Sequence, residues 1–118
     1  MYSCLIVEDE MISLDILREE FQSRGYQVTA LSDGRDAYEL CRRAVFDLVL
    51  LDMHLPHKNG MDILRAIRAK GAHSVVVIIT AFGRIEGAVE AMKAGADDYI
   101  TKPYDMNSLV QKAEQILE

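Results

Sequence analysis

Acidic residues, one hydroxyl and one lysine stand at the ends of four apolar segments of the chain. Glu8 and Asp9 follow the first segment, and Asp52, Thr80 and Lys102 end three later ones. Carboxylates that are crowded together repel, so such a set must take up a proton or bind a cation. Oxygen ligands favour Mg²⁺, which keeps several waters and binds phosphate oxygens. A metal ion, a lysine and a hydroxyl around one aspartate describe a site for a phosphoryl group on that aspartate.

These residues can meet only if the segments before them are neighbouring parallel strands. Short apolar segments predict strands at Cys4–Glu8, Tyr26–Leu31, Phe46–Asp52, Ser74–Thr80 and Asp98–Lys102. Segments with helical periodicity alternate with them along the whole chain. In open α/β sheets, ligands bind outside the carboxyl ends of the strands, so the polar strand ends are the candidate site.

Apolar stripes at helical spacing predict the faces that the helices bury. Their residues are Leu14, Leu17 and Phe21; Gly60, Leu64 and Ile67; Ile85, Val89 and Met92; and Met106, Leu109, Val110, Ala113 and Leu117. Strands apolar on both faces are typical of a parallel sheet covered by helices on both sides. A closed eight-stranded barrel needs about 250 residues. We therefore predict one open, doubly wound α/β domain over residues 1–118.

Composition excludes several classes of function. A net charge of −6 argues against nucleic-acid binding by this domain, because phosphate backbones are bound by clustered Lys and Arg. No apolar run approaches the ~18 residues of a membrane span, and the start of the chain lacks the basic flank and cleavage site of a signal peptide. We expect a cytoplasmic domain that does not bind membranes, with Cys4 and Cys41 reduced and buried.

The motifs resemble those of the receiver domain of two-component response regulators over essentially the full length. The matching segments are VEDE with Glu8 and Asp9; LLDMHLPHKNG with Asp52, Pro56 and Gly60; IITAFG with Thr80; and DDYITKPYD with Tyr99, Lys102 and Pro103. The resemblance implies a flavodoxin-like (βα)5 fold with strand order 2-1-3-4-5. The segment from Thr80 to Asp105 is most similar to receivers of the nitrogen-regulation type of transcriptional activator, so transcription regulation is the expected process.

The resemblance also implies roles for the acidic residues and the lysine. Asp52 is the expected phosphoacceptor. Asp9, Asp52 and the backbone carbonyl of Met53 are the expected Mg²⁺ ligands, with Glu8 acting through a coordinated water. Lys102 would pair with Asp52 and then with a phosphate oxygen.

Further roles carried by the resemblance concern the switch and the loops. Thr80 would reorient its hydroxyl toward the phosphoryl group, while Tyr99 would swing from exposed to buried. A cis peptide bond before Pro103 is expected to aim the preceding lysine inward. Pro56 and Gly60 would shape the loop after strand 3 and start helix 3.

Other polar residues near these motifs have less specific interpretations. His54 and Phe82 flank the phosphoryl group in the family and vary between members. Because Phe82 has no polar atom to orient a water, we predict a long-lived phosphoaspartate. His54 and His57 are expected to be exposed loop histidines rather than zinc ligands, and the pair Asp97 and Asp98 is expected in a solvated loop.

The resemblance implies a phosphorylation-activated switch rather than an enzyme. It would receive its phosphoryl group from a sensor histidine kinase and change the surface of helix 4, strand 5 and helix 5. That surface would control an output domain or downstream protein, or form a phosphorylation-dependent homodimer. Whether the chain is a single-domain regulator or part of a longer one stays open.

Rival functions remain as alternatives. An aspartate-nucleophile phosphatase of the haloacid dehalogenase type would want an acid where His54 stands, and a flavin carrier would want a Ser/Thr/Gly-rich loop after strand 1. A docking module that works without phosphorylation is the third alternative.

Overall fold

The computed structural model describes residues 1–81 and 85–117. Within these ranges the strands are β1 (Ser3–Val7), β2 (Gln27–Leu31), β3 (Leu48–Asp52), β4 (Val75–Ala81) and β5 (Asp98–Lys102). The helices are α1 (Met11–Ser23), α2 (Gly34–Arg43), α3 (Gly60–Ala69), α4 (Ile85–Lys93) and α5 (Met106–Leu117). The sheet has the order β2-β1-β3-β4-β5, and every neighbouring pair is parallel. This confirms the predicted fold class and strand order.

Each face of the sheet has its own apolar core. Successive side chains of a strand point to opposite faces, so Val49 and Leu51 of β3 join a cluster with α2 and α3, whereas Leu48 and Leu50 join one with α1 and α5. All of β3 is buried. The prediction of helices on both faces is therefore confirmed, and β3 lies at the centre of a rigid support for Asp52.

Helix α4 buries a different face from the one predicted. Val89 and Met92 are 47% and 38% exposed, whereas Ala88 and Ala91 are fully buried. Small side chains let the helix backbone approach the sheet closely, and the larger apolar side chains are left outside. The predicted buried stripe was wrong for Val89 and Met92.

The prediction of a solvated loop is confirmed for Asp97, which is exposed in the bend before β5, and was wrong for Asp98, which belongs to the strand. The Asp97 carboxylate accepts hydrogen bonds from the Val76 N–H at 2.8 Å and from the Arg68 guanidinium at 3.1 Å. Asp98 is the first residue of β5, and its carboxylate accepts a hydrogen bond from Lys112 Nζ at 3.2 Å. These two acids therefore attach α3 and α5 to the start of strands β4 and β5.

The two cysteines are free and buried, as predicted. Burial raises the pKa of the Cys4 thiol to about 12 and that of Cys41 to about 11. Both thiols are therefore protonated at neutral pH, and neither is a reactive thiolate.

No helix within the described ranges has both the length and the apolar character needed to cross a lipid bilayer.

Two glycines allow the loop after β3 to pack closely. Gly60 donates its N–H to the Met53 carbonyl at 3.1 Å, and a Cβ at this position would lie 2.5 Å from the Asp52 carbonyl oxygen. Gly34, the first residue of α2, donates its N–H to the Pro56 carbonyl at 3.1 Å, and a Cβ there would lie 1.8 Å from the Lys58 carbonyl oxygen. The loop is thus held from α3 and from α2 by contacts that only glycine permits.

We expect Gly34→Ala to lower the free energy of unfolding by about 2 kcal/mol or more, because the new methyl group overlaps a backbone carbonyl. The matched control is Gly87→Ala in α4, where a Cβ would meet no atom within 4 Å. That change should raise stability by roughly 0.5–1 kcal/mol through helix propensity. Urea unfolding measures both, and a Gly34→Ala protein as stable as the control would contradict the close contact.

Candidate functional site

The predicted acidic residues meet at the carboxyl edge of the sheet. Glu8 and Asp9 follow directly after β1, Asp52 is the last residue of β3, and these two strands are neighbours. One carboxylate oxygen from each of the three lies within 4.8 Å of the others. Glu8 is fully buried and Asp52 is 4% exposed, whereas Asp9 is exposed. The cluster therefore has two buried acids and one that faces solvent.

Asp52 is held by both of its carboxylate oxygens. Oδ1 accepts a hydrogen bond from the backbone N–H of His54 at 2.9 Å, and Oδ2 accepts one from Lys102 Nζ at 2.9 Å. Both donors stabilise the ionised carboxylate. The Asp52 carboxylate is thus held in a fixed orientation at the end of a buried strand.

Lys102 is the cation of this site. It ends β5 and reaches across the end of β4, so that its Nζ lies 2.9 Å from Glu8 Oε1 as well as 2.9 Å from Asp52 Oδ2. Burial acts to lower the pKa of Lys102, but the contacts with Glu8 and Asp52 outweigh it and raise the pKa above its ordinary value. The ammonium therefore stays charged at neutral pH. The predicted pairing with Asp52 and the predicted cis bond to Pro103 are both present.

The charged form of Glu8 is disfavoured by burial and by the nearby Asp52. Burial raises the pKa of Glu8, and the nearby Asp52 raises it further, against the lowering effects of Lys102 and the Glu10 N–H. Oε2 accepts a hydrogen bond from the Glu10 N–H at 3.1 Å. Oε1 lies 2.9 Å from Lys102 Nζ but makes no well-directed hydrogen bond. A buried carboxylate oxygen with a spare acceptor direction, beside two further acids, fits a site for a hard cation and its waters.

The residues with predicted switch roles lie on β4 and β5. Thr80 is 1% exposed and pairs in register with Thr101, one position beyond Ile79, which pairs with Asp52. Tyr99 is half-buried and packs against the same core cluster as α3. The reorientation of Thr80 and the swing of Tyr99 stay predictions. Phe82 lies outside the described residues, so its predicted effect on the phosphoaspartate lifetime stays a prediction as well.

The loop after β3 contains the remaining predicted site residues. The Met53 carbonyl accepts the Gly60 N–H at 3.1 Å, so a metal ion would have to use its second lone pair. Its ligand role stays a prediction. Pro56 accepts hydrogen bonds through its carbonyl from Gly34 and Lys58, which agrees with a part in shaping the loop.

The two loop histidines are exposed, as predicted. His57 Nδ1 lies 2.6 Å from Asp33 Oδ2. Sequence reasoning did not foresee this contact, because the two residues are 24 positions apart. A sequence signal for Asp33 alone exists, since an aspartate before a helix is a common N-cap, but it does not reveal the partner.

Comparisons with known proteins agree with this geometry. A family model described as the response regulator receiver domain matches residues 4–114. The chain is 37% identical to the probable transcriptional regulatory protein SilR of Salmonella typhimurium over 113 residues, covering 96% of this chain and 50% of SilR. It is 39% identical to the transcriptional regulatory protein ZraR of Escherichia coli K12 over 113 residues, covering 96% of this chain and 26% of ZraR.

A solved structure of NtrX from Brucella abortus in complex with ADP is also similar. It is 30% identical, with a TM-score of 0.88 over 98% of this chain and 27% of NtrX. The chain thus spans half or less of the length of each of these relatives.

We expect Glu8→Gln to be more stable than the wild type near neutral pH, by on the order of 1 kcal/mol, because a buried charge is removed. The folded protein holds the Glu8 proton more tightly than the unfolded chain, since burial raises the pKa of Glu8. The contribution of Glu8 to the free energy of unfolding is therefore fully present below the pKa that Glu8 has in the unfolded chain. It is lost as the pH rises through the pKa that Glu8 has in the folded protein. The difference in the free energy of unfolding between the wild type and Glu8→Gln should become smaller as the pH is lowered.

Glu10→Gln is the matched control. The Ser13 side chain lowers the pKa of Glu10, which is exposed. The contribution of Glu10 to the free energy of unfolding is therefore present above the pKa that Glu10 has in the unfolded chain, and it is lost as the pH falls. Its variant should be slightly less stable than wild type near neutral pH. Urea unfolding from about pH 7 to about pH 4 measures both variants. If both variants changed the free energy of unfolding in the same direction, the conclusion that burial destabilises the Glu8 carboxylate would be contradicted.

Proposed function

The chain belongs to the family of response regulator receiver domains, and we propose that a phosphoryl group on Asp52 switches it between two signalling states. Receiver domains are signalling modules of two-component systems rather than enzymes. The observation that supports Asp52 is its position. It is a buried carboxylate bound by Lys102 Nζ and by the His54 N–H, each at 2.9 Å, beside two more acids at the carboxyl edge of the sheet.

In the proposed reaction, one carboxylate oxygen of Asp52 attacks the phosphorus of a phosphohistidine on a sensor kinase. The P–O bond forms as the P–N bond breaks, and the electron pair of that bond returns to the imidazole nitrogen. Lys102 Nζ, already 2.9 Å from Asp52 Oδ2, is placed to follow the carboxylate and pair with a phosphoryl oxygen. Such a transfer depends on positioning and charge neutralisation, and Asp52 and Lys102 supply both.

Receiver domains bind Mg²⁺ at an acidic pocket, and the cluster of Glu8, Asp9 and Asp52 fits one. We propose Asp9 and Asp52 as direct ligands, Glu8 as an acceptor for a coordinated water, and the Met53 carbonyl as the loop ligand. When bound, Mg²⁺ neutralises charge on the phosphoryl oxygens. The unpartnered direction at Glu8 Oε1 supports the water-mediated role.

The switch follows from the charge that phosphorylation adds, about −1.5 to −2 at neutral pH. That charge would recruit Lys102 and the Thr80 hydroxyl. Movement of Thr80 at the end of β4 would open space for Tyr99 and shift the surface of α4, β5 and α5. Two exposed apolar side chains of α4, Val89 and Met92, lie on that surface and could then enter a contact.

A sensor histidine kinase and an output domain or downstream protein are the expected partners of a receiver domain. We propose that the whole protein regulates transcription, as the names of SilR and ZraR indicate for those proteins. We further propose that it acts in the cytoplasm and that phosphorylation promotes a homodimer. We also propose that this domain itself does not bind nucleic acid, in keeping with its net charge of −6.

The alternatives are less well supported. A phosphatase-like enzyme would need an acid two residues after Asp52, and the exposed His54 stands there. A docking module independent of phosphorylation would have no need for a buried aspartate between a lysine and two acids.

We expect incubation with acetyl phosphate and Mg²⁺ to add one phosphoryl group to the wild type and none to Asp52→Asn, because the amide is not a nucleophile. Intact-protein mass measures this, with Mg²⁺ omitted in a parallel sample. Asp36→Asn, which changes an exposed aspartate of α2, is the matched control and should be labelled like the wild type.

Labelling retained in Asp52→Asn would show that another residue is the phosphoacceptor. A wild type that is neither labelled nor able to bind Mg²⁺ by calorimetry would favour the docking module instead.

We expect Thr80→Ala to be phosphorylated within roughly threefold of the wild-type rate but to lose the response of α4, β5 and α5, because Thr80 is placed to sense the phosphoryl group rather than to accept it. Thr80→Ser keeps the hydroxyl and should keep the response. Amide chemical shifts of α4, β5 and α5, with and without acetyl phosphate, measure it. A full response in Thr80→Ala would remove Thr80 from the switch.

A further inference from the structure

The loop that follows Asp52 is attached to the start of α2 by several independent contacts. The Gly34 N–H donates to the Pro56 carbonyl at 3.1 Å, and the Gly34 backbone lies directly against the Lys58 carbonyl. His57 Nδ1 lies 2.6 Å from Asp33 Oδ2. The side chain of Lys58 then continues over the ring of Tyr38, with its Nζ 4.5 Å from the ring centroid.

His57 has a backbone conformation that needs support. Its φ is +69°, in the left-handed region that glycine favours. Within residues 1–81 and 85–117, His57 is the one residue other than glycine with a positive φ. Such conformations cost free energy and persist where surrounding contacts hold them. The His57 side chain is 53% exposed, so burial does not supply the support. The contact with Asp33 and the backbone hydrogen bonds that the Pro56 carbonyl accepts remain as candidates for it.

Asp33 is itself fixed in two directions. It is the N-cap of α2, where Oδ1 accepts a hydrogen bond from the Arg35 N–H at 2.7 Å. The other oxygen, Oδ2, is the one that meets His57. One carboxylate therefore joins the start of α2 to the middle of the loop.

The same loop carries the groups that hold the phosphoacceptor. Its first residues provide the His54 N–H that binds Asp52 Oδ1 and the Met53 carbonyl that meets Gly60. His57 lies three residues after His54 and three residues before Gly60 in this loop.

We propose that Asp33 and His57 are positioning residues for this site, and that their contact holds residues 53–59 in the shape that binds Mg²⁺ and accepts the phosphoryl group. The inference rests on the proposed function of Asp52. Neither residue would touch the phosphoryl group or the cation, since both act through the loop.

The Asp33 side of the contact is charged at neutral pH. Desolvation acts to raise the pKa of Asp33, but the Arg35 N–H and then His57 outweigh it and lower the pKa. An ionised carboxylate is a strong hydrogen-bond acceptor, so Asp33 can hold the His57 ring in place.

Other charged groups near this contact are Arg35 and Asp36 in the first turn of α2 and Lys58 in the loop itself. The test must separate the Asp33–His57 contact from their general field. Asp33→Asn keeps an N-cap residue and removes the charge. His57→Asn keeps a residue that tolerates a positive φ and removes the ring. Asp36→Asn, on the same helix, is the matched control for the loss of one negative charge.

The experiment measures Mg²⁺ binding by calorimetry, since the chain has no tryptophan to report it, and amide hydrogen exchange of residues 53–59 without Mg²⁺. Each single variant should bind Mg²⁺ about two- to fivefold more weakly than wild type at neutral pH, the range for a partly exposed ion pair. Loop amides should exchange faster in both. The double variant should be no weaker than either single variant, because the two residues act through one contact. Thermal unfolding checks that each variant is folded.

Effects that add in the double variant, or that Asp36→Asn reproduces, would overturn the inference. So would unchanged exchange of the loop amides in Asp33→Asn and His57→Asn. Labelling of wild type by acetyl phosphate is the separate test of the proposed function. If that labelling fails, the hydrogen-exchange result still tests whether the contact between Asp33 and His57 holds the loop.

Discussion

The site depends on one lysine that balances two buried carboxylates. Lys102 Nζ lies 2.9 Å from both Glu8 and Asp52, and these acids are 0% and 4% exposed. A carboxylate removed from water is unfavourable unless it is paired. Burial raises the pKa of Glu8, and the nearby Asp52 raises it further, so one ammonium does not fully compensate the two buried carboxylates. The orientation of Asp52 depends on this shared pairing, because Oδ2 accepts the hydrogen bond from Lys102 Nζ.

The parallel topology is what makes the pairing possible. With the order β2-β1-β3-β4-β5, the end of β3 lies between the ends of β1 and β4, and the lysine must reach over β4 from the edge strand. The sheet supplies a rigid floor because β3 is buried along its whole length. The sheet does not fix the loop after Asp52. That loop contacts Gly60 at the start of α3, Gly34 at the start of α2, and Asp33, which meets His57 of the loop.

Much of this arrangement could be predicted from the sequence, and the exceptions have a common physical cause. Strands apolar on both faces imply a parallel sheet, and polar residues at their ends imply the cluster, so the meeting of Glu8, Asp9 and Asp52 followed from local patterns. Side-chain contacts between residues far apart in the sequence did not, because a pattern within one segment carries no information on which distant residue it meets. Asp97 with Arg68 and Asp33 with His57 are of that kind.

The predicted buried face of α4 failed for a related reason. Periodicity located an apolar stripe, but the packing of a helix on a sheet also depends on how close the backbones come. Ala88 and Ala91 permit a close approach and are buried, while Val89 and Met92 remain outside. Hydrophobicity alone ranks these four residues in the opposite order.

Under the proposed function, cation binding and phosphorylation would be coupled at this edge of the sheet. A phosphoryl group on Asp52 would increase the negative charge that Lys102 already has to balance against Glu8 and Asp52, so the phosphorylated site would bind a cation more tightly than the free site. By linkage, a cation that binds the phosphorylated state more tightly must favour phosphorylation to the same degree. The coupling would come from the charge that the phosphoryl group adds. Glu8 is present in both states, so it would raise the cation affinity of both rather than the difference between them.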